Sequence, residues 1–67
     1  MIVFINKEKK EISDNTDILN MLHANGFEDT KGIAIAVNNQ VIPKTSWQNH
    51  LLHDRDNITI ITATAGG

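Results

Sequence analysis

TDILNMLHANG, residues 16–26, is the stretch at which the chain changes period. Ile18, Leu19, Met21 and Leu22 recur at spacings of three and four, which puts one apolar stripe on a helix. Thr16 has the side chain of an N-cap, and Asp17 in the first turn suits the positive end of the helix dipole. Gly26 stands where a left-handed residue would end the helix. On either side the pattern is that of strands, so one helix is set between two groups of β-structure.

Upstream, MIVFIN (1–6) is rich in β-branched and aromatic residues and is apolar on both alternating sets. Ile2 and Phe4 point one way, Val3 and Ile5 the other, as in a strand from the middle of a sheet. NKEKK (6–10) reads as a polar turn and KEIS (10–13) as a short returning strand around Ile12. Downstream of the polar EDTK (28–31), GIAIAVN (32–38) is a third strand with Ile33, Ile35 and Val37 on one face. Asn38 and Asn39 tolerate the positive φ of a tight hairpin. VIP (41–43) is a fourth strand stopped by Pro43. The polar KTSWQNHLLHDRDN (44–57) is expected to hold one helical turn from Ser46, with Trp47, Leu51 and Leu52 plugging the end of the core. ITII (58–61) is the last strand.

The order is therefore β-β-α-β-β-turn-β. Five short strands can bury one apolar helix face against one face of a mixed sheet. The first and last strands are the most apolar and should lie side by side in the middle. This is an α+β chain of the β-grasp, or ubiquitin-like, architecture: a mixed five-stranded sheet with one main helix packed on one face. It is expected to form a single domain over residues 1–67, with 62–67 a flexible C-terminal tail.

Sixty-seven residues leave little room for both a core and an enclosed substrate pocket, so a binding module or carrier fits better than an enzyme. The chain has no cysteine, hence no disulfide, thiolate nucleophile or cysteine-based zinc site. With no apolar run long enough for a signal segment or a membrane span, the expectation is a cytoplasmic protein with no membrane partner. The net charge is −2 and the six basic residues are dispersed, which argues against nucleic acid. His50, His53, Asp54 and Asp56 have metal-like residue types, but no third imidazole or thiol lies nearby, and they read as a solvated turn. Ser13 and Ser46 lack the flanking glycines of a nucleophile elbow, and Glu28–Asp29 read as solvated charge. The expectation is thus no catalytic residue, no metal and no bound cofactor. Trp47 reads as core rather than as a partner contact.

The tail is different. ATAGG, residues 63–67, carries no charged or bulky side chain, and at ~3.3–3.6 Å per extended residue it can reach on the order of 10 Å or more from the domain. Gly66 and Gly67 lack Cβ atoms and can pass a channel closed to other residues. A carboxylate on Gly67 is inert as an acyl donor unless its oxygen becomes a leaving group. Attack on the α-phosphate of ATP would achieve that, and a partner must bind the nucleotide.

Together the start MIVFINKEKKEI, the helix TDILNMLHANG, the run GIAIAVNNQVIPKTSW, a D-x-D turn and the final AGG resemble the sulfur carrier proteins of bacterial thiamine biosynthesis. The resemblance spans essentially the whole chain. It implies that a ubiquitin-activating-type adenylating enzyme uses ATP to adenylate the Gly67 carboxylate. Sulfur, drawn from cysteine through a cysteine desulfurase system, would then make a thiocarboxylate and pass to thiazole synthase. The chain would be a protein co-substrate, with Thr64, Ala65 and Gly66 threading into partner active sites. One departure is DRD (54–56), where the family commonly has D-G-D; if that position needs positive φ, Arg55 is strained unless Asn57 takes the left-handed residue. The helix covers one sheet face only, so a partner face is expected on the other, including Thr59 and Ile61. Two alternatives remain at this stage: a carrier for molybdopterin or a ubiquitin-like modifier, and a plain β-grasp interaction domain.

Overall fold

The computed structural model describes residues 1–63 of the chain. Five strands and one α-helix follow in the order β1 (Ile2–Ile5), β2 (Glu8–Glu11), α1 (Ile18–Ala24), β3 (Ile33–Val37), β4 (Gln40–Ile42) and β5 (Asn57–Thr62), with a single 3-10 turn at Lys44–Ser46. The sheet order is β2-β1-β5-β3-β4. β1 and β5 run parallel, with Phe4 opposite Asn57 and Ile5 opposite Ile58, while every other pairing is antiparallel. This is the five-stranded mixed sheet of the β-grasp, with the most apolar strands adjacent and β5 at the centre.

Alternation along the strands sorts side chains onto two faces. Val3, Ile5, Ile35, Val37, Ile58 and Ile60 are buried and join Ile18, Met21 and Leu22 of α1 in one core. Trp47 and Leu52 close one end, and the Trp47 indole Nε1–H donates to the Ile42 carbonyl at 2.9 Å, so its polar atom is not orphaned.

Helix α1 begins one residue later than the sequence pattern suggests. Asp17, not Thr16, is the N-cap: its Oδ1 accepts from the Asn20 N–H at 2.7 Å. Thr16 instead donates its hydroxyl to the Ser13 carbonyl at 2.6 Å and shapes the entry. Both residues have capping side chains, and the choice falls to the one whose oxygen reaches the third helical N–H. At the other end Gly26, with φ +88°, donates to the His23 carbonyl and Phe27 to that of Leu22, the paired bonds of a Schellman ending.

Three further expectations are corrected. β2 is Glu8–Glu11 rather than a strand around Ile12, because Asn6 and Lys7 alone make the turn, both at positive φ. As an edge strand it carries EKKE with every side chain exposed, which keeps its free edge from pairing. The 3-10 turn starts at Lys44, directly after Pro43, rather than at Ser46. Leu51 is 47% exposed and bridges Asp17 through its backbone, so it is not part of the plug. The Asn38–Asn39 hairpin, with φ +52° and +68°, is as expected. The left-handed residue of the DRD turn is Arg55 itself, at φ +70°, while Asn57 opens β5.

Candidate functional site

Two features converge at the far end of β5: the point where the chain leaves the sheet, and the sheet face that α1 does not cover. β5 is held by β3 along its whole length, from Val37 opposite Ile58 to Ile33 opposite Thr62. One residue further, the Ala63 N–H donates to the Gly32 carbonyl at 2.8 Å. Of the tail expected over 62–67, Thr62 is still strand and Ala63 still bonded, and residues 64–67 lie outside the described residues. Gly32 is at φ +77°, and a Cβ there would lie 3.3 Å from the Ala63 carbonyl oxygen, so the residue is small for both conformation and contact.

On the other edge of β5, β1 supplies backbone partners only as far as Asn6, whose N–H donates to the Ile58 carbonyl at 2.9 Å. The Asn6 side chain then continues the pairing. Its Oδ1 accepts from the Ile60 N–H at 2.8 Å, and its Nδ2 donates to the Ile60 carbonyl at 3.3 Å. Neither Asn6 nor Gly32 was marked as functional by the sequence. Asn6 reads there as part of a polar turn, and nothing local tells which strand its amide will reach.

The face away from α1 is set by the other half of each alternation. Ile2 and Phe4 of β1 are half-buried on it. Thr59 and Ile61 of β5 are exposed, with Ile61 at 57%. Ala34 and Ala36 of β3 follow, and Val41 of β4, opposite Ala36, is 73% exposed. Charge enters at the rim, where Lys9 and Glu11 of β2 stand opposite Phe4 and Ile2. A shallow groove at the β1–β2 turn end of this side is lined by Phe4, Asn6, Lys7, Asn39 and Thr59, so Lys7 adds a second point of charge at the rim. The middle of the face, at Ala34, Ala36, Thr59 and Ile61, is thus uncharged, and it is continuous with the end of β5.

In the stretch that holds His50, His53, Asp54 and Asp56, the two carboxylates act as hydrogen-bond acceptors. Asp56 is 8% exposed, and its two carboxylate oxygens accept from the Asn38 side-chain amide at 3.0 Å and the His53 N–H at 2.8 Å. Asp54 Oδ1 accepts from the Ile2 N–H at 2.8 Å. Both carboxylates tie the turn before β5 to its neighbours. The expectations for Thr64, Ala65, Gly66 and Gly67 lie outside the described residues. Among the described residues, no helix is long and apolar enough to cross a membrane.

A protein-family model described as the ThiS family matches residues 3–67. The sulfur carrier protein ThiS of Escherichia coli (strain K12) is 39% identical over 36 residues, which are 54% of this chain and 54% of that protein. The chain thus matches about half the length of that curated relative. The crystal structure of a thiamine biosynthesis protein (ThiS) from Geobacter metallireducens superposes with a TM-score of 0.86 at 14% identity, covering 100% of both chains. A solution structure of a thiamine biosynthesis protein from the same organism gives 0.81 at 14% identity, covering 100% of this chain and 88% of the other. At that identity the two likenesses establish the shared fold.

Proposed function

The chain belongs to the ThiS family, and from that premise we propose that it is a sulfur carrier of thiamine biosynthesis whose working group is the carboxylate of Gly67. It acts as a protein co-substrate in the cytoplasm and performs no chemistry of its own. A ubiquitin-activating-type adenylating enzyme binds ATP, and a carboxylate oxygen of Gly67 attacks the α-phosphorus while pyrophosphate leaves. The resulting acyl adenylate is a good acyl donor, because AMP is a stable leaving group where oxide is not. A persulfide, supplied from cysteine through a desulfurase system, attacks the carbonyl carbon with its outer sulfur and displaces AMP. A thiol then cleaves the S–S bond of the acyl disulfide, leaving the thiocarboxylate and a new disulfide. The thiocarboxylate then donates its sulfur to thiazole synthase.

The observation that carries this reading is the family match over residues 3–67, which includes Gly66 and Gly67. The Escherichia coli relative, a sulfur carrier protein by name, points the same way. The chemistry of the chain agrees with it. Thr64, Ala65 and Gly66 are small enough to thread a narrow channel, and Gly67 adds no side chain beside the reacting carbon. The uncharged face around Thr59 and Ile61 is suited to dock on the adenylating enzyme and on the synthase in turn.

The test is the intact mass of the protein after incubation with the adenylating enzyme, ATP and a sulfur source. The expected result is the gain of one sulfur for one oxygen, abolished by deletion of Gly67. An unchanged mass in the presence of a demonstrably active enzyme would overturn the reading.

A further inference from the structure

We infer that Asn6 is a positioning residue for the sulfur-bearing end of the chain: its carboxamide clips the end of β5 and so fixes where, and in what direction, the chain leaves the sheet. The inference rests on the carrier reading above and adds to it a residue that acts through Ile60 of β5.

The need for a clip follows from topology. β5 is the middle strand, but its two neighbours do not accompany it equally far. β3 pairs with it as far as Thr62. The parallel pairing with β1 stops at Ile5 opposite Ile58, because at Asn6 and Lys7, with φ +50° and +72°, the chain turns away into β2. The polar groups of Ile60 on that edge would therefore have no main-chain partner. The Asn6 side chain supplies both a donor and an acceptor, standing in for the peptide group that β1 no longer offers. Few side chains could do this. Asp would place an oxygen against the Ile60 carbonyl, and Ala or Ser would not reach. Asn also tolerates the left-handed backbone of the turn.

On the opposite edge, Gly32 accepts from Ala63. The segment from Ile60 to Ala63 is thus gripped from two sides, and Gly67 lies four residues beyond it. A reacting carbon on so short a lead inherits any error at its root. If the root frays, the carrier still docks through its sheet face, but the carboxylate samples more positions and meets the α-phosphate less often. This signature differs from lost docking: turnover falls while the apparent affinity for the carrier holds.

The test uses Asn6→Gly, which removes the amide and keeps the turn, since glycine accepts positive φ. Ile18→Val in α1 serves as a control that loses stability without touching β5. With the adenylating enzyme and ATP, Asn6→Gly is expected to lower kcat for adenylate formation by about tenfold or more, with KM for the carrier within about twofold of the unmodified chain. Amide hydrogen exchange, read without any enzyme, should show faster exchange at Ile60 and unchanged protection at Ile35. A kcat equal to that of the unmodified chain, or a loss no greater than that of Ile18→Val, would overturn the positioning role. Unchanged exchange at Ile60 would overturn the clip itself. An unmodified chain that is not adenylated by an active enzyme is a separate outcome: it removes the carrier reading and the positioning role together.

Discussion

Arg55 carries a backbone conformation that L-residues avoid, at φ +70°, and its side chain gains little in return. The guanidinium lies 3.6 Å from Asp54 with both groups exposed, a contact of small worth. Arg55→Gly is therefore expected to raise stability by about 0.5–1 kcal/mol, the left-handed penalty less the added freedom of glycine in the unfolded chain, as read from urea unfolding. Asp56, one residue on, is the opposite case. It is buried and satisfies two donors from different segments, so Asp56→Ala should cost about 1–3 kcal/mol and lower the melting temperature. The sequence marks these two residues alike, as charged members of a polar turn. It shows that a turn is present and not which carboxylate is inward, because that depends on Asn38 arriving from another hairpin. Gly26, Asn38 and Asn39 were legible because their conformations are demanded locally. Leu51 was misplaced because an apolar side chain next to Leu52 says nothing about which of the two faces in.

At the scale of elements, α1 is short, spanning Ile18–Ala24, and its ends matter in proportion. Asp17→Ala removes the acceptor for the Asn20 N–H and should destabilise the protein by about 1 kcal/mol, whereas Thr16→Val leaves the cap intact and should cost less, both measured by chemical unfolding. The apolar period of the helix was plain in the sequence. Its start was not, since Ser13, Asp14, Thr16 and Asp17 all carry capping side chains. β2 shows the complementary difficulty. Glu8–Glu11 has neither apolar alternation nor β-branched residues, and is a strand because the Asn6–Lys7 turn delivers it beside β1. Edge strands exposed on both faces carry no burial pattern, so pairing rather than propensity decides them.

Across the whole molecule, one face of the sheet is used for folding and the other is left bare. Ile61 lies on the bare side and contributes little to the core, so Ile61→Asp should leave the unfolding curve nearly unchanged. It should weaken binding to the adenylating enzyme by about tenfold, as titration calorimetry would show. Retained affinity in that variant would place the docking surface elsewhere. The order of elements and the adjacency of β1 and β5 could be read from the sequence, since MIVFI and ITII carry the bulkiest apolar runs among the strand segments. The point at which β1 parts from β5 could not, because it is set by three-dimensional divergence.

The sheet order has one more consequence, and it concerns synthesis. β2 with β1 and β3 with β4 are hairpins that can form as they emerge from the ribosome, yet neither pair bonds to the other. Both bond only to β5, the strand translated last of the five. Until then the nascent chain is two separate hairpins and a helix with no complete surface to pack on, and closing the sheet requires contacts between distant parts of the chain. A polypeptide cut short before Asn57 lacks its central strand. Assembly of the sheet therefore reports on how far translation has gone: a chain that has folded has been read at least through β5, its central strand.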